Sequence, residues 1–270
     1  MPKLRRRLPA SGSVTAAAGG REAAAPSSGG AVAHVYVHAP FCARRCFYCD
    51  FAVSVRRSAD PEEWVDAVRL ELRLLEGTGV VELASALKTF YVGGGTPSLL
   101  GPGAMSLLAR ALGGDRLRSP GLEWTAEANP ESLTPEIATA WRQAGVNRLS
   151  LGVQSFQESV LTWMGRLHGA EGARDSVARA RDAGIENLSV DLIFGLPDTL
   201  RRDWVSELEA ASSLEVPHIS LYGLTAERGT PLGRGVANGT IRMADDESYR
   251  GEYLEAHRRL TAAGDRHYEI

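Results

Sequence analysis

From residue 34 onward, short runs of β-forming residues alternate with amphipathic stretches that have helical spacing. The strand-like runs occupy residues 34–39, 87–92, 122–127, 149–153, 188–194 and 218–222. This alternation is typical of successive βα units around a parallel sheet. Six strands are fewer than the eight of a closed barrel. The sequence therefore predicts an α/β fold, an open partial (β/α)6 barrel of the TIM type.

Helical spacing predicts the elements that connect these strands. Helices are expected over 61–76, 134–145, 204–211 and 249–264. The sequence RQAGVNRLS at 142–150 is also matched by RDAGIENLS at 181–189. In each copy a helix is predicted to stop on glycine before a strand begins. The separation is about one βα unit, so the two copies indicate consecutive units of one barrel.

All three cysteines of the chain lie on one loop after the first predicted strand. Cys42, Cys46 and Cys49 have the spacing C-x3-C-x2-C. Three thiolates on one loop can hold three irons of a four-iron cluster and leave the fourth iron open, since a full cage needs four cysteines. A zinc site completed by His34 or His38 is the alternative, although zinc motifs usually pair their cysteines two by two.

Length, charge and cysteine usage restrict the class of protein. A chain of 270 residues suits one barrel-sized domain. Its net charge of −3 gives no electrostatic reason to expect a nucleic-acid partner. Cysteines confined to one loop argue against a secreted disulfide scaffold and favour the reducing cytoplasm. No apolar run approaches the roughly 18 residues of a membrane-spanning helix.

The two ends of the chain differ from its middle. Residues 1–31 start with a basic run at 3–7 and continue in Ala, Gly and Ser, which predicts a disordered, low-complexity tail. Residues 32–270 are then the folded domain. The last residues, 266–270, look like the opening of another strand. We therefore expect a further C-terminal region in the natural protein.

Residues suited to chemistry follow the predicted strands one after another. Function in α/β barrels lies at the C-terminal ends of the strands. The residues concerned are the cysteine loop, Gly93–Thr96, Glu127, Gln154, Asp191 and Tyr222. Glycines let a backbone approach a ligand closely, and carboxylates within apolar strands need partners. Gln154 and Arg166 add a neutral donor–acceptor and a fixed cation that suits a carboxylate ligand.

Taken together, the motifs resemble the HemN/HemW family of the radical S-adenosylmethionine (SAM) superfamily. They are YVHAPFCARRCFYCD at 36–50, GGGTPS at 93–98, EANP at 127–130, LGVQSF at 151–156, MGRLH at 164–168 and VDLIFGLP at 190–197. The resemblance covers about residues 34–270. It implies a [4Fe-4S] cluster ligated by Cys42, Cys46 and Cys49. The SAM contacts it implies are Tyr36, Tyr48, Gly94, Gly95, Thr96, Glu127, Gln154, Arg166 and Asp191.

Two branches of the family are open to this chain: oxygen-independent coproporphyrinogen III dehydrogenases and related haem chaperones. The dehydrogenases carry a further cysteine two residues after the last cluster ligand, where this chain has Phe51. Phe51 and the wording MGRLH resemble the chaperone branch. His168 and His257 are candidate axial ligands of haem, although lone histidines are more often surface or hydrogen-bonded residues.

The chaperone branch implies a set of cofactors and partners. They are the cluster, SAM, haem, a haem-acceptor protein and an external electron donor. SAM, where it is cleaved, yields a 5′-deoxyadenosyl radical. Oxidative decarboxylation of coproporphyrinogen III and a zinc-binding module are the alternative functions. No residue is assigned a catalytic role, and peripheral association with a membrane stays open.

Overall fold

A computed structural model of the protein describes residues 31–268. The described residues form eight strands. These are β1 (His34–Ala39), β2 (Phe41–Cys42), β3 (Ser54–Val55), β4 (Thr89–Gly94), β5 (Glu123–Ala128), β6 (Arg148–Gln154), β7 (Asn187–Phe194) and β8 (His218–Gly223). They also form eight α-helices. These are α1 (Pro61–Gly77), α2 (Ala104–Ala111), α3 (Pro135–Ala144), α4 (Glu158–Met164), α5 (Gly172–Asp182), α6 (Trp204–Ser212), α7 (Pro231–Ala237) and α8 (Asp246–Ala263).

Six of the strands form one parallel sheet in the order β1-β4-β5-β6-β7-β8. Consecutive strands of the sheet are neighbours, and helices connect them. Strands β1 and β8 are the edges, so the sheet is open. β2 and β3 pair with each other inside the cysteine loop. The arrangement confirms the predicted open partial (β/α)6 barrel.

Local capping chemistry explains where the predicted helices begin and end. The Asp60 carboxylate accepts from the Glu62 backbone N–H at 2.9 Å, and Pro61 opens α1. Gly145 ends α3 with φ of +120°, and Gly184 follows α5 with φ of +80°. A left-handed residue after a helix favours glycine, which is the shared feature of the repeat at 142–150 and 181–189. The repeat therefore marks two consecutive barrel units, as predicted.

Large apolar side chains fill the space between the sheet and its helices. Phe90 and Trp124 are register partners on β4 and β5, are fully buried, and meet edge to face at 5.2 Å. Trp141 of α3 is also fully buried and donates from Nε1 to the Gly101 carbonyl at 3.1 Å. This core fixes the strands and leaves their C-terminal ends free to carry polar residues.

Some predicted features lie outside the described residues, and the strand predicted at the C-terminal end is not formed by the part of it that is described. Residues 1–30, which make up nearly all of the predicted tail, are outside, as are 269 and 270. Residues 265–268 belong to no strand. Among the described residues no helix is long and apolar enough to cross a membrane.

Candidate functional site

The cysteine loop is folded back on itself by the short strand pair β2–β3. The Arg56 N–H donates to the Cys42 carbonyl at 2.9 Å, and the Arg45 guanidinium donates to the Val53 carbonyl at 2.9 Å. A turn closes between Cys46 and Cys49, with N–H to carbonyl at 3.3 Å. All three thiols are partly buried and none forms a disulfide. Burial raises the pKa of the Cys42 and Cys49 thiols.

A cavity of about 350 Å³ opens beside this loop, at the C-terminal ends of the barrel strands. Eleven of the residues that line this cavity were predicted to ligate the cluster or to contact SAM. They are Cys42, Cys46, Cys49, Tyr48, Gly94, Gly95, Thr96, Glu127, Gln154, Arg166 and Asp191. Tyr222 lines it as well. Tyr36 does not: it is 56% exposed, and its hydroxyl lies 3.0 Å from His38 Nδ1. The structure thus brings eleven of the twelve predicted site residues together at one cavity.

The glycine stretch after β4 holds the cysteine loop against the barrel. Gly95 N–H donates to the Ala39 carbonyl at 2.9 Å, and Thr96 N–H donates to the Phe41 carbonyl at 2.7 Å. A Cβ on Gly95 would lie 2.6 Å from the Phe41 oxygen, and Gly94 has φ of +116° beside the His38 ring. The sequence suggested close approach to a ligand; in the structure these glycines allow close approach to the loop itself.

Two carboxylates face the cavity from β5 and β7, the strands on either side of β6. Glu127 accepts from the Tyr91 hydroxyl at 2.8 Å and from the Gly94 N–H at 2.9 Å. Asp191 accepts from the Ser150 hydroxyl at 3.1 Å. Burial raises the pKa of Glu127, and burial together with the Glu127 charge raises the pKa of Asp191 to about 6. Such a pair suits a ligand that brings a cation and hydroxyl donors.

A chain of polar contacts joins two of the thiols through the barrel. The Arg166 guanidinium donates to Asn129 Oδ1 at 2.9 Å and contacts Cys46 Sγ at 3.8 Å. Asn129 Nδ2 donates to Thr96 Oγ1 at 3.1 Å, and Thr96 Oγ1 contacts Cys42 Sγ at 3.4 Å. Arg166 therefore lies against the thiols from the barrel side.

Gln154 reaches the cavity through an irregularity in β6. The register between β6 and β7 shifts between Leu151 and Gln154. Gln154 has φ of +69°, the left-handed region that non-glycine residues rarely adopt. Strained backbone of this kind is concentrated at functional sites. The distortion brings the Gln154 amide to the end of the sheet where the other candidates lie.

Sequence reasoning missed three residues that organise this site. Asn129 links Arg166 to Thr96, Tyr91 holds Glu127, and Ser150 holds Asp191. A signal existed for Asn129, which stands inside the EANP motif at the end of β5. No sequence signal identified Tyr91 or Ser150, because the hydrogen-bond partner of a polar residue on a strand is known only once the pairing of neighbouring strands is known.

The candidate haem ligands lie apart from this cavity. The His168 side chain is fully buried, and its Nδ1 lies 3.5 Å from Glu131 Oε2. His257 Nδ1 lies 2.8 Å from His267 Nδ1, beside a second cavity of about 590 Å³ between β8 and α8. Neither contact tests haem ligation, which stays a prediction for both histidines.

The donor set fits a multi-iron cluster better than one zinc ion. Across residues 31–268 no three His, Cys, Asp or Glu side chains are placed to hold a single metal ion. His34 and His38 are hydrogen-bonded to Thr89 at 2.9 Å and to the Ala52 carbonyl at 3.1 Å. A cluster spreads its thiolates over several irons and needs no common point. In addition, the buried Arg166 Nε lacks a hydrogen-bond acceptor among the described residues, and Nη1 of the same guanidinium contacts Cys46 Sγ, so the cation beside the thiols suits an anionic group.

Known proteins resemble this chain in sequence. The chain is 38% identical over 240 residues to the heme chaperone HemW of Mycobacterium tuberculosis, covering 87% of this chain and 60% of that protein. It is 36% identical to the heme chaperone HemW of Escherichia coli, covering 87% and 61%. The chain thus spans about three fifths of the length of these curated relatives.

A solved structure shows the same fold. The coproporphyrinogen III oxidase HemN of Escherichia coli, described as a radical SAM enzyme, superposes with a TM-score of 0.70 at 23% identity. The match covers 86% of this chain and 52% of HemN. The family model of the radical SAM superfamily matches residues 36–211, well over half of the chain. The chain therefore belongs to the radical SAM superfamily.

Proposed function

We propose that this chain is the radical SAM core of a haem chaperone, which binds haem and passes it to an acceptor protein. The identity of 38% to the heme chaperone HemW carries this proposal. Phe51 supports it, since the dehydrogenase branch has a cysteine at that position. We place the protein in the cytoplasm, in keeping with its free thiols.

Cys42, Cys46 and Cys49 are the proposed ligands of a [4Fe-4S] cluster, with SAM at its open iron. When both are bound, they supply one-electron cleavage of the SAM sulfonium. Arg166 provides a buried guanidinium beside the thiols that suits the SAM carboxylate. Glu127 and Asp191 provide acceptors for its amino and ribose hydroxyl donors. The remaining proposed SAM contacts are Tyr36, Tyr48, Gly94, Gly95, Thr96 and Gln154.

The first experiment tests the cofactor site. Cys46→Ala should remove the iron–sulfur absorption near 400 nm after anaerobic reconstitution, and an unchanged iron content would refute the ligand assignment. Glu127→Gln should weaken SAM binding about tenfold in calorimetry while the cluster survives, the usual cost of one charge-assisted hydrogen bond. Glu123→Gln is the matched control, because Glu123 is exposed at the start of the same strand.

The second experiment separates chaperone from dehydrogenase, the function that the fold of HemN suggests. Reconstituted protein receives SAM, a reductant and coproporphyrinogen III, and mass spectrometry follows the loss of two carboxyl groups. Repeated turnover would refute the chaperone proposal. Stoichiometric haem binding without turnover would support it, and transfer of that haem to a candidate acceptor would then be measured by absorption.

A further inference from the structure

Gln154 lies at the centre of a γ-turn at the end of β6. The Ser155 N–H donates to the Val153 carbonyl at 2.9 Å, and Gln154 between them has φ of +69°. A three-residue turn with a positive φ is rare and strained, and glycine would adopt it more easily. Such a turn persists only where its surroundings hold it.

A buried carboxylate outside the cavity holds the residues that follow this turn. Glu207 of α6 is 1% exposed and accepts from the Ser155 hydroxyl and from the Phe156 N–H, the latter at 2.7 Å. The Ser155 hydroxyl oxygen accepts in turn from the Gln157 N–H at 3.0 Å. Glu207 does not line the cavity. Its carboxylate therefore acts on the backbone next to Gln154 and not on a ligand.

The start of α6 binds the same segment a second time. Gln157 Nε2 donates to the Asp203 carbonyl at 2.8 Å, and the Asp203 N–H donates to Gln157 Oε1 at 3.2 Å. Asp203 is the N-cap of α6. Helix α6 thus fixes residues 155–157, and these leave the γ-turn little freedom to relax.

The turn directs the Gln154 amide toward the Arg166 guanidinium. A Cβ on Gly152 would lie 3.1 Å from Gln154 Nε2, 3.0 Å from Asn129 Oδ1 and 3.5 Å from Arg166 Nη2. The three polar groups therefore converge over one glycine, whose carbonyl also accepts from Arg166. Of the three, Gln154 is the one whose place depends on the strained turn.

We propose that Glu207 is a positioning residue of the SAM site, which acts through Gln154. By holding Ser155 and Phe156 it keeps the γ-turn closed, and the closed turn keeps the Gln154 amide beside Arg166. The proposal rests on the proposed function, in which Gln154 and Arg166 contact SAM. Loss of the carboxylate would let residue 154 return to the negative φ that non-glycine residues prefer, and its amide would leave this position.

A double-mutant cycle tests this link through SAM binding by calorimetry, on the full chain loaded with its cluster. Gln154→Ala should weaken binding about fivefold, the usual weight of one neutral hydrogen bond. Glu207→Ala should weaken it to a similar extent, and the double variant should bind no more weakly than Gln154→Ala alone. Glu207→Gln, which keeps one oxygen for the Phe156 N–H, should restore most of the affinity. An unchanged affinity in Glu207→Ala, or losses that multiply in the double variant, would overturn the proposal.

Glu209→Ala is the matched control, because Glu209 lies on the same helix and its side chain is 64% exposed. It should bind SAM like the wild type, and a loss equal to that of Glu207→Ala would overturn the proposal. If Glu207→Ala does not fold, Ser155→Ala replaces it, since it removes the hydroxyl between Glu207 and the turn but no charge. Ser155→Ala should weaken SAM binding about threefold, and full affinity in this variant would overturn the proposal.

A second readout needs neither SAM nor the cluster. The chain has three glutamines, Gln143, Gln154 and Gln157, so the metal-free protein made with ¹⁵N-labelled glutamine gives well-separated side-chain amide signals in NMR spectra. Gln154→Ala identifies the Gln154 signal. In Glu207→Ala this signal should shift or broaden, because the amide samples several positions, while the signal of the exposed Gln143 stays in place. An unmoved Gln154 signal would overturn the proposal. A wild type that binds no SAM would refute the proposed function, while these spectra would still decide whether Glu207 fixes Gln154.

Discussion

Asp191 allows a quantitative test of the cavity, because its ionised form is unfavourable in the metal-free fold. Burial and the Glu127 charge raise the pKa of this carboxyl from 3.8 to about 6. A carboxyl whose pKa is higher in the folded state destabilises that state once it ionises. The penalty is small near pH 4, grows between pH 4 and 6, and is complete above pH 6. A pKa shift of this size lowers the free energy of unfolding by ~3 kcal/mol at pH 8 and by ~0.6 kcal/mol at pH 4.

Asp191→Asn should therefore stabilise the metal-free chain by ~2–3 kcal/mol at pH 8, and the gain should shrink steadily toward pH 4. The asparagine keeps an oxygen that can accept the bond from Ser150. Urea unfolding at each pH gives the free energy of unfolding of both proteins. Asp182→Asn, on the exposed end of α5, is the control and should stay within about 0.5 kcal/mol. A gain that does not change with pH, or a net loss at pH 8, would refute this account of the cavity.

Three further substitutions test the packing that supports the site. Gly95→Ala should destabilise the fold by about 1–3 kcal/mol in urea unfolding, because its Cβ would meet the Phe41 carbonyl, whereas Gly77→Ala at the open end of α1 should not destabilise it. Arg202→Ala should lower the free energy of unfolding by about 3–5 kcal/mol, because it leaves Glu252 without the nearly buried guanidinium that forms its ion pair. A loss below about 1 kcal/mol would contradict the burial of this ion pair. Trp141→Phe should lower the melting temperature more than Trp124→Phe does. The first change leaves the Gly101 carbonyl without its hydrogen bond, whereas within residues 31–268 the Trp124 Nε1 has no partner to lose. The reverse order would contradict the hydrogen bond from Trp141.

The central strands β4 to β7 could be predicted because they are largely buried and are rich in apolar residues, whereas the edge strands β1 and β8 are partly exposed. Predicted 188–194 and observed Asn187–Phe194 differ by one residue, and 34–39 is unchanged. Helices α2, α4 and α7 were not predicted individually. They have seven or eight residues each, too few for a periodic pattern to stand out.

The sequence could predict which residues lie together at the candidate site, but not the contacts between them. Six strands running the same way place their ends together, so residues far apart in sequence could be assigned to one cavity. The β2–β3 pair could not be foreseen, since strands of two residues carry no periodic signal. The hydrogen-bonded link from Arg166 through Asn129 to Thr96 could not be predicted either, because it depends on the positions of side chains from three segments of the chain.

The strand pair inside the cysteine loop has a consequence for how the cofactor is loaded. Fixing the backbone of a free loop costs about 1–2 kcal/mol per residue. Here Phe41 and Cys42 are already paired with Ser54 and Val55, and the glycine stretch holds the same loop from the other side. The incoming iron and sulfide would therefore meet a preorganised receptor. We expect the metal-free chain to resist proteolysis at this loop nearly as well as the loaded one.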